Sequence, residues 1–229
     1  MVDFTALDDY ELRAMQAAGE EILTCYRVLE RIDTNIVAEV LAGSGTFYEY
    51  DHYPDGDVYD RVTHAQYYYH AHREESGEHG HFHTFIRREG IPRAIRPVRL
   101  HPASPQGDTI CHLVAISMDA YGFPTGLFTT NRWVTDETWY KAPDVIALLD
   151  RFLIDHTFPN WAVNRWIGAM LRLFRPQIED LLHARDVAIE DWQARRGAGD
   201  VFEDRALDIT SQIAISVDDQ MAQIKAALG

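Results

Sequence analysis

The sequence predicts an α+β protein with a central, mostly antiparallel sheet over about residues 46–134, helices before it and a helical region after it. Apolar residues near both ends recur at the three-to-four spacing of an amphipathic helix. Between Thr46 and Val134 β-branched and aromatic residues crowd together, and the spacing moves toward the period of two that marks a strand. The stretches between the β-like runs are rich in turn formers and short enough to make hairpins.

Taken in order, Asp9 to Arg31 sets Leu12, Met15, Ile22, Tyr26 and Leu29 near one helical face, with Asp8 or Asp9 available to accept from the free first-turn N–H groups. Thr34 to Leu41 reads as a shorter helix that ends at Gly43-Ser44-Gly45, where glycine can take the left-handed conformation. Strands are expected over Ala65–Arg73, His79–Arg88, Thr109–Asp119 and Leu127–Val134, the first pair joined by Glu74 to Glu78 and the second by Ala120 to Gly126. Beyond Val134, Thr135 stands as a cap ahead of Asp136 and Glu137, and Pro143 suits a first turn. Helices are expected around Pro143–Asp155, Asn160–Phe174, Gln177–Arg195, Val201–Thr210 and Val217–Leu228, the last opened by Ser216 with Asp218 and Asp219. The weakest stretches, Pro97 to Asp108 and Arg195 to Asp200, are short enough to be ordinary loops. One domain over 1–229 is therefore expected, helical over 8–43, sheet over 46–134 and helical over 135–229.

A net charge of −15 opposes approach to nucleic acid or to an anionic membrane leaflet, so neither is expected as a partner. Arg87, Arg88, Arg93, Arg96 and Arg99 form a local basic run, best read as balancing nearby acids, with a small anionic ligand as the rival reading. Two cysteines, Cys25 and Cys111, both fall in stretches of regular structure, which suits a reducing compartment. The opening MVDFTALDDYELRAM has acids where a signal peptide carries lysines, and no window is long and apolar enough for a membrane span. A cytoplasmic location is the expectation.

Six of the eleven histidines lie between positions 64 and 83, in HAQYYYHAHREESGEHGHFH. Side chains alternate between the faces of a strand. With a turn centred near Glu75 and Ser76, His72 stands opposite His79, His70 opposite His81 and Tyr68 opposite His83, so that five imidazoles share one face. Tyr67, Tyr69 and Ala71 then meet Phe82, Thr84 and Ile86 on the reverse face, ready to pack on helices. Directly opposed residues have Cβ atoms about 4.5 to 5.5 Å apart, close enough for ring nitrogens to converge on one ion. Imidazole suits Fe, Zn and Cu, with Mn also considered; an all-oxygen cage would draw on carboxylates instead. The competing readings are a solvated or hydrogen-bonded polar face and a proton-sensing cluster.

The spacing His70-x-His72, followed by Glu78 and by His112 on a later strand, resembles the metal sites of cupins, in which two histidines on one strand, an acid and a later histidine bind one ion. The acid comes later here than in cupins, and the helical C-terminal portion is foreign to a β-barrel. The resemblance therefore implies a shared ligand arrangement and not a shared fold. The phrases EHGHFHTF, HLVAISMDAYGFPTGLFTTNRWVTDETWYKAPD and SVDDQMAQIKAAL are similar to those of an uncharacterised bacterial family; this resemblance spans most of the chain and implies no activity.

Candidate metal ligands are thus His70, His72, His79, His81, His83 and His112, although His112 alternates with Val114, Ile116 and Met118 on what reads as a core-facing side. Tyr68 would orient substrate, Glu78 or His79 would act as a further ligand or proton carrier, and Arg132 would hold a carboxylate or phosphate unless it pairs with Asp119 or Asp136. Glu179 or Asp180 with His183, aided by Glu20 or Glu21, has the spacing of a helical di-iron site but more simply reads as surface charge pairing. No phosphate loop, dinucleotide fingerprint, nucleophile elbow or HExxH run occurs. The leading expectation is a metal-dependent enzyme, an oxidoreductase or hydrolase, holding one transition-metal ion and acting on a small-molecule ligand. A non-catalytic metal-binding or sensing protein and a metal-free scaffold are the alternatives. Self-association into a homo-oligomer stays open.

Overall fold

The computed structural model describes residues 2–71, 77–100, 109–197 and 199–229. Among these, six strands form one antiparallel sheet in chain order: β1 (Tyr53–Tyr59), β2 (Ala65–His70), β3 (Gly80–Arg87), β4 (Ile110–Met118), β5 (Pro124–Thr130) and β6 (Ile209–Ala214). The helices are α1 (Asp9–Glu30), α2 (Ile36–Leu41), α3 (Arg132–Thr135), α4 (Ala142–Leu149), α5 (Trp161–Leu173), α6 (Arg175–Arg196) and α7 (Val217–Leu228). The fold is α+β, as the sequence predicts.

Local chemistry explains where the outer helices begin. Asp8 accepts from the Glu11 N–H while the Glu11 carboxylate accepts from the Asp8 N–H, a reciprocal cap that starts α1. Leu12, Met15, Ile22, Cys25 and Leu29 are buried from it. Ser216 opens α7 by accepting from the Asp219 N–H at 3.1 Å. Gly19 of α1 lies so close to α7 that a Cβ there would fall 1.9 Å from the Met221 sulfur.

Two expectations are corrected. The strand expected to run to Val134 stops at Thr130, because the Asn131 side chain accepts from the Arg132 N–H and begins α3; Thr135 ends that helix and does not cap one. The helix expected over Val201–Thr210 is instead a single 3-10 turn, Val201–Glu203, followed by β6. The free edge of β5 offers the β-branched run Ile209-Thr210 a ladder. The Thr129 hydroxyl also pairs with those of Thr210 and Ser211 at 2.8 and 2.6 Å, so tertiary pairing overrides helical spacing. The stretch over 135–229 therefore returns one strand to the sheet.

The sheet has two unlike faces. On one, Phe82 meets Trp166 of α5 at 5.7 Å, the Tyr67 hydroxyl donates to the Asn164 side chain, and Ser211 donates to the Leu181 carbonyl of α6. On the other stand Tyr68, His70, His81, His83 and Phe85, as the register Tyr68↔His83 and His70↔His81 requires. Next door, His83 pairs with Ala115 and Thr84 with Val114, but Phe85 pairs with His112. The register thus jumps by one residue in β4 at Leu113, a β-bulge.

Candidate metal centre

The hairpin register brings three imidazoles together. His70 Nε2 lies 2.7 Å from His81 Nε2, and one ring nitrogen from each of His70, His81 and His83 falls within 4.8 Å of the others. His81 is 0% exposed and His83 1%, so these nitrogens sit in a low-dielectric interior, where an unpaired polar group is costly.

Two of the rings are held from behind. His81 Nδ1 hydrogen-bonds the Glu78 carboxylate. A carboxylate only accepts, so the proton belongs on Nδ1 and the lone pair of Nε2 is left toward the cluster. His83 Nδ1 lies 3.0 Å from His112 Nε2. Burial first, and then the positive charge of Arg185, pushes His112 down to about 3, so it stands neutral as an acceptor for the His83 Nδ1–H. That bond places the His83 proton on Nδ1 and makes Nε2 the lone-pair atom of the ring.

The bulge in β4 makes this possible. Strict alternation groups His112 with Val114, Ile116 and Met118 toward the helices; the extra residue turns it to the histidine face, 5.2 Å from the Phe85 ring. Expecting His112 on the core-facing side was therefore incorrect, although placing it near the hairpin was sound.

Aromatic rings wall the cluster. Phe128 stands edge-on to His81 at 5.1 Å and to His83 at 5.9 Å, and Tyr68 tilts against His83 at 5.2 Å. Burial pushes the Tyr68 phenol well above its ordinary value. His52 stacks on Tyr68 at 3.6 Å, and its Nδ1 lies 3.0 Å from the Asp57 carboxylate. Asp57 also accepts from Gln66, which accepts from Arg87. Below His112, the Glu137 carboxylate accepts from the His112 backbone N–H at 2.7 Å. Burial drives Glu137 up to about 7, against the opposing pull of Arg185 and Arg132. Sequence reading missed His52, Asp57 and Glu137. The first two sit in a Pro/Gly/Asp-rich stretch that reads as loop, and nothing local ties Glu137 to β4.

Residues 16–215 match the family model described as a domain of unknown function, DUF6969. The chain belongs to the DUF6969 family. No curated protein and no solved structure matches it.

In this DUF6969 chain the remaining candidates scatter. His72 and the turn at Glu75 and Ser76 lie outside the described residues. His79 precedes the first residue of β3 and so escapes its alternation. Its Nδ1 lies 2.7 Å from the hydroxyl of Tyr69, on the helix side, and its ring stacks on Phe47. Arg132 is buried and paired with Glu203, Asp136 and the Glu137 carbonyl, where it ties α3 to the turn at Val201–Glu203. Glu179 is paired with Arg175 while His183 is exposed, and Glu21 is held by Arg165 and Arg172. Of the arginine run, Arg87 bonds Gln66 and Arg99 pairs with Asp200.

Proposed function

We propose that this DUF6969 protein is a metal-dependent enzyme in which His70, His81 and His83 hold one transition-metal ion and a small molecule is the substrate. The observation that carries the reading is that Glu78 and His112 each occupy the outward nitrogen of an inner ring, leaving the inward one with its lone pair. Three neutral nitrogen donors suit zinc, iron or copper, and three protein ligands are the number that leaves a coordination position open.

The spacing fits after a small adjustment. Nitrogens bound at about 2.0 to 2.1 Å to a tetrahedral ion stand roughly 3.3 Å apart. His70 and His81, at 2.7 Å, would open by about 0.6 Å, while the wider gaps in the triad, up to 4.8 Å, would close by up to about 1.5 Å, both by side-chain rotation. When bound, the ion would supply Lewis acidity, an activated water or a redox centre. The protein's own groups hold it and dry it: Glu78 and His112 fix the ring tautomers, while Tyr68, Phe85 and Phe128 exclude water from the face they cover.

A metal-free polar core is the second reading, favoured by the direct His70–His81 contact. Elemental analysis of protein purified without chelator separates the two. About one metal ion per chain is expected, with loss of the metal in the His70→Ala/His81→Ala double variant. Equally low metal in both proteins would sink the metal centre and every activity built on it.

A further inference from the structure

The register that pairs His70 with His81 continues across the sheet in one row: His81 faces Ser117, Ser117 faces Gly126, and Gly126 faces Ala214. Directly paired residues share a face, so two imidazoles are followed by three of the smallest side chains. The row is hollow. A cleft of about 630 Å³ lies over Ser117, Gly126 and Ala214, with Glu78 and Phe128 in its lining. Both touch His81, by a hydrogen bond and by an edge-on ring contact. The cleft opens at β6, the edge strand, and the three strand-to-strand steps from His81 to Ala214 span about 14 Å at about 4.8 Å each.

A run of small residues alone would mean little, but Ser117 points to an occupant. It is 9% exposed and lines the cleft, and its hydroxyl has no hydrogen-bond partner among the described residues. A hydroxyl so placed is expected to meet a ligand or solvent group.

We infer that this trough admits a neutral, hydroxyl-bearing organic molecule to the histidine cluster. The substrate class deepens the metal-centre reading and rests on it; the trough does not. Among the described residues the lining holds no lysine, arginine or histidine, and its one ionisable group is the Glu78 carboxylate, so an anion finds repulsion and no counter-charge there. A cation would have to share that carboxylate with the His81 Nδ1–H it already accepts from, and meets no second carboxylate among the described lining residues. The Phe128 ring gives the organic body an apolar wall, while Ser117 and Gln212 offer hydrogen bonds to its hydroxyl groups. The absent side chain at Gly126 makes the room. A Cβ there would lie 3.2 Å from the Ile213 carbonyl and 3.7 Å from Ser117.

The test uses the full chain labelled with 15N, metal-free and zinc-loaded, titrated with three probes of one size: benzyl alcohol, benzoate and benzylammonium. Benzyl alcohol should shift the Ser117, Gly126 and Gln212 amide signals saturably in both forms, and benzoate should not. Gly126→Val and Ala214→Trp should each lose the response with zinc stoichiometry unchanged. Ala214 is exposed on the edge strand, so its variant keeps the test open if the Gly126 variant fails to fold. Absence of a response to all three probes overturns the trough. Preference for benzoate or benzylammonium overturns the neutral substrate class. Saturable benzyl alcohol binding in a protein that takes up no metal upholds the trough while the metal reading falls.

Discussion

Glu137 shows how much one buried carboxyl can be asked to do. It holds the backbone of His112 and stands near Arg185 and Arg132, yet burial raises it from an ordinary 4.5 to about 7. A carboxyl raised in the folded state binds its proton more tightly there than in the unfolded chain. Its stabilising contribution is full below pH 4.5 and is lost as pH rises toward 7. Glu137→Gln keeps an oxygen for the His112 N–H and removes the titration. The variant should match the parent in thermal midpoint near pH 4.5 and exceed it above pH 7. Thermal denaturation across that window checks this, and a gap that is constant with pH would rule it out. The same residue marks a limit of sequence reading, because an acid in TDETW carries no sign that it will be folded under a strand some 25 positions earlier.

At the level of elements, the β2–β3 hairpin carries the site, and its pairing hangs on Gly80. A Cβ at that position would lie 2.5 Å from the Tyr69 hydroxyl and 2.7 Å from the His70 carbonyl, so alanine must push β2 and β3 apart where His70 meets His81. Gly80→Ala should cost about 1 to 3 kcal/mol, the usual penalty of overpacking. Chemical denaturation measures it; a change below about 0.5 kcal/mol, the scale of a neutral surface substitution, would refute the close approach. The hairpin was the most legible part of the fold, since strand alternation alone places His70, His81, His83 and Tyr68 on one side and Tyr67, Tyr69 and Phe82 on the other. What alternation could not supply was any departure from itself. The bulge at Leu113 reverses His112, and the position of His79 before β3 releases it toward Tyr69. β6 was misread because Ile209 and Thr210 owe their strand to the waiting edge of β5 and not to a local pattern.

Across the whole molecule, a charge of −15 is spread over a chain whose acids outnumber its bases by 36 to 21. Several acids are locally matched, as Glu21 is by Arg165 and Arg172, but the excess repels itself. Raising salt from about 10 mM to about 150 mM shortens the screening length from about 30 to about 8 Å. The thermal midpoint should therefore rise over that range, and a fall would mean that surface ion pairs outweigh the general repulsion. The sheet's chain order has a further consequence. Strands β1 to β5 follow one another closely, whereas β6 arrives only after α3 to α6 have been made. During synthesis the imidazoles therefore emerge from the ribosome long before Gln212 and Ala214. A nascent chain owns its histidines while the far bank beside them is still unbuilt.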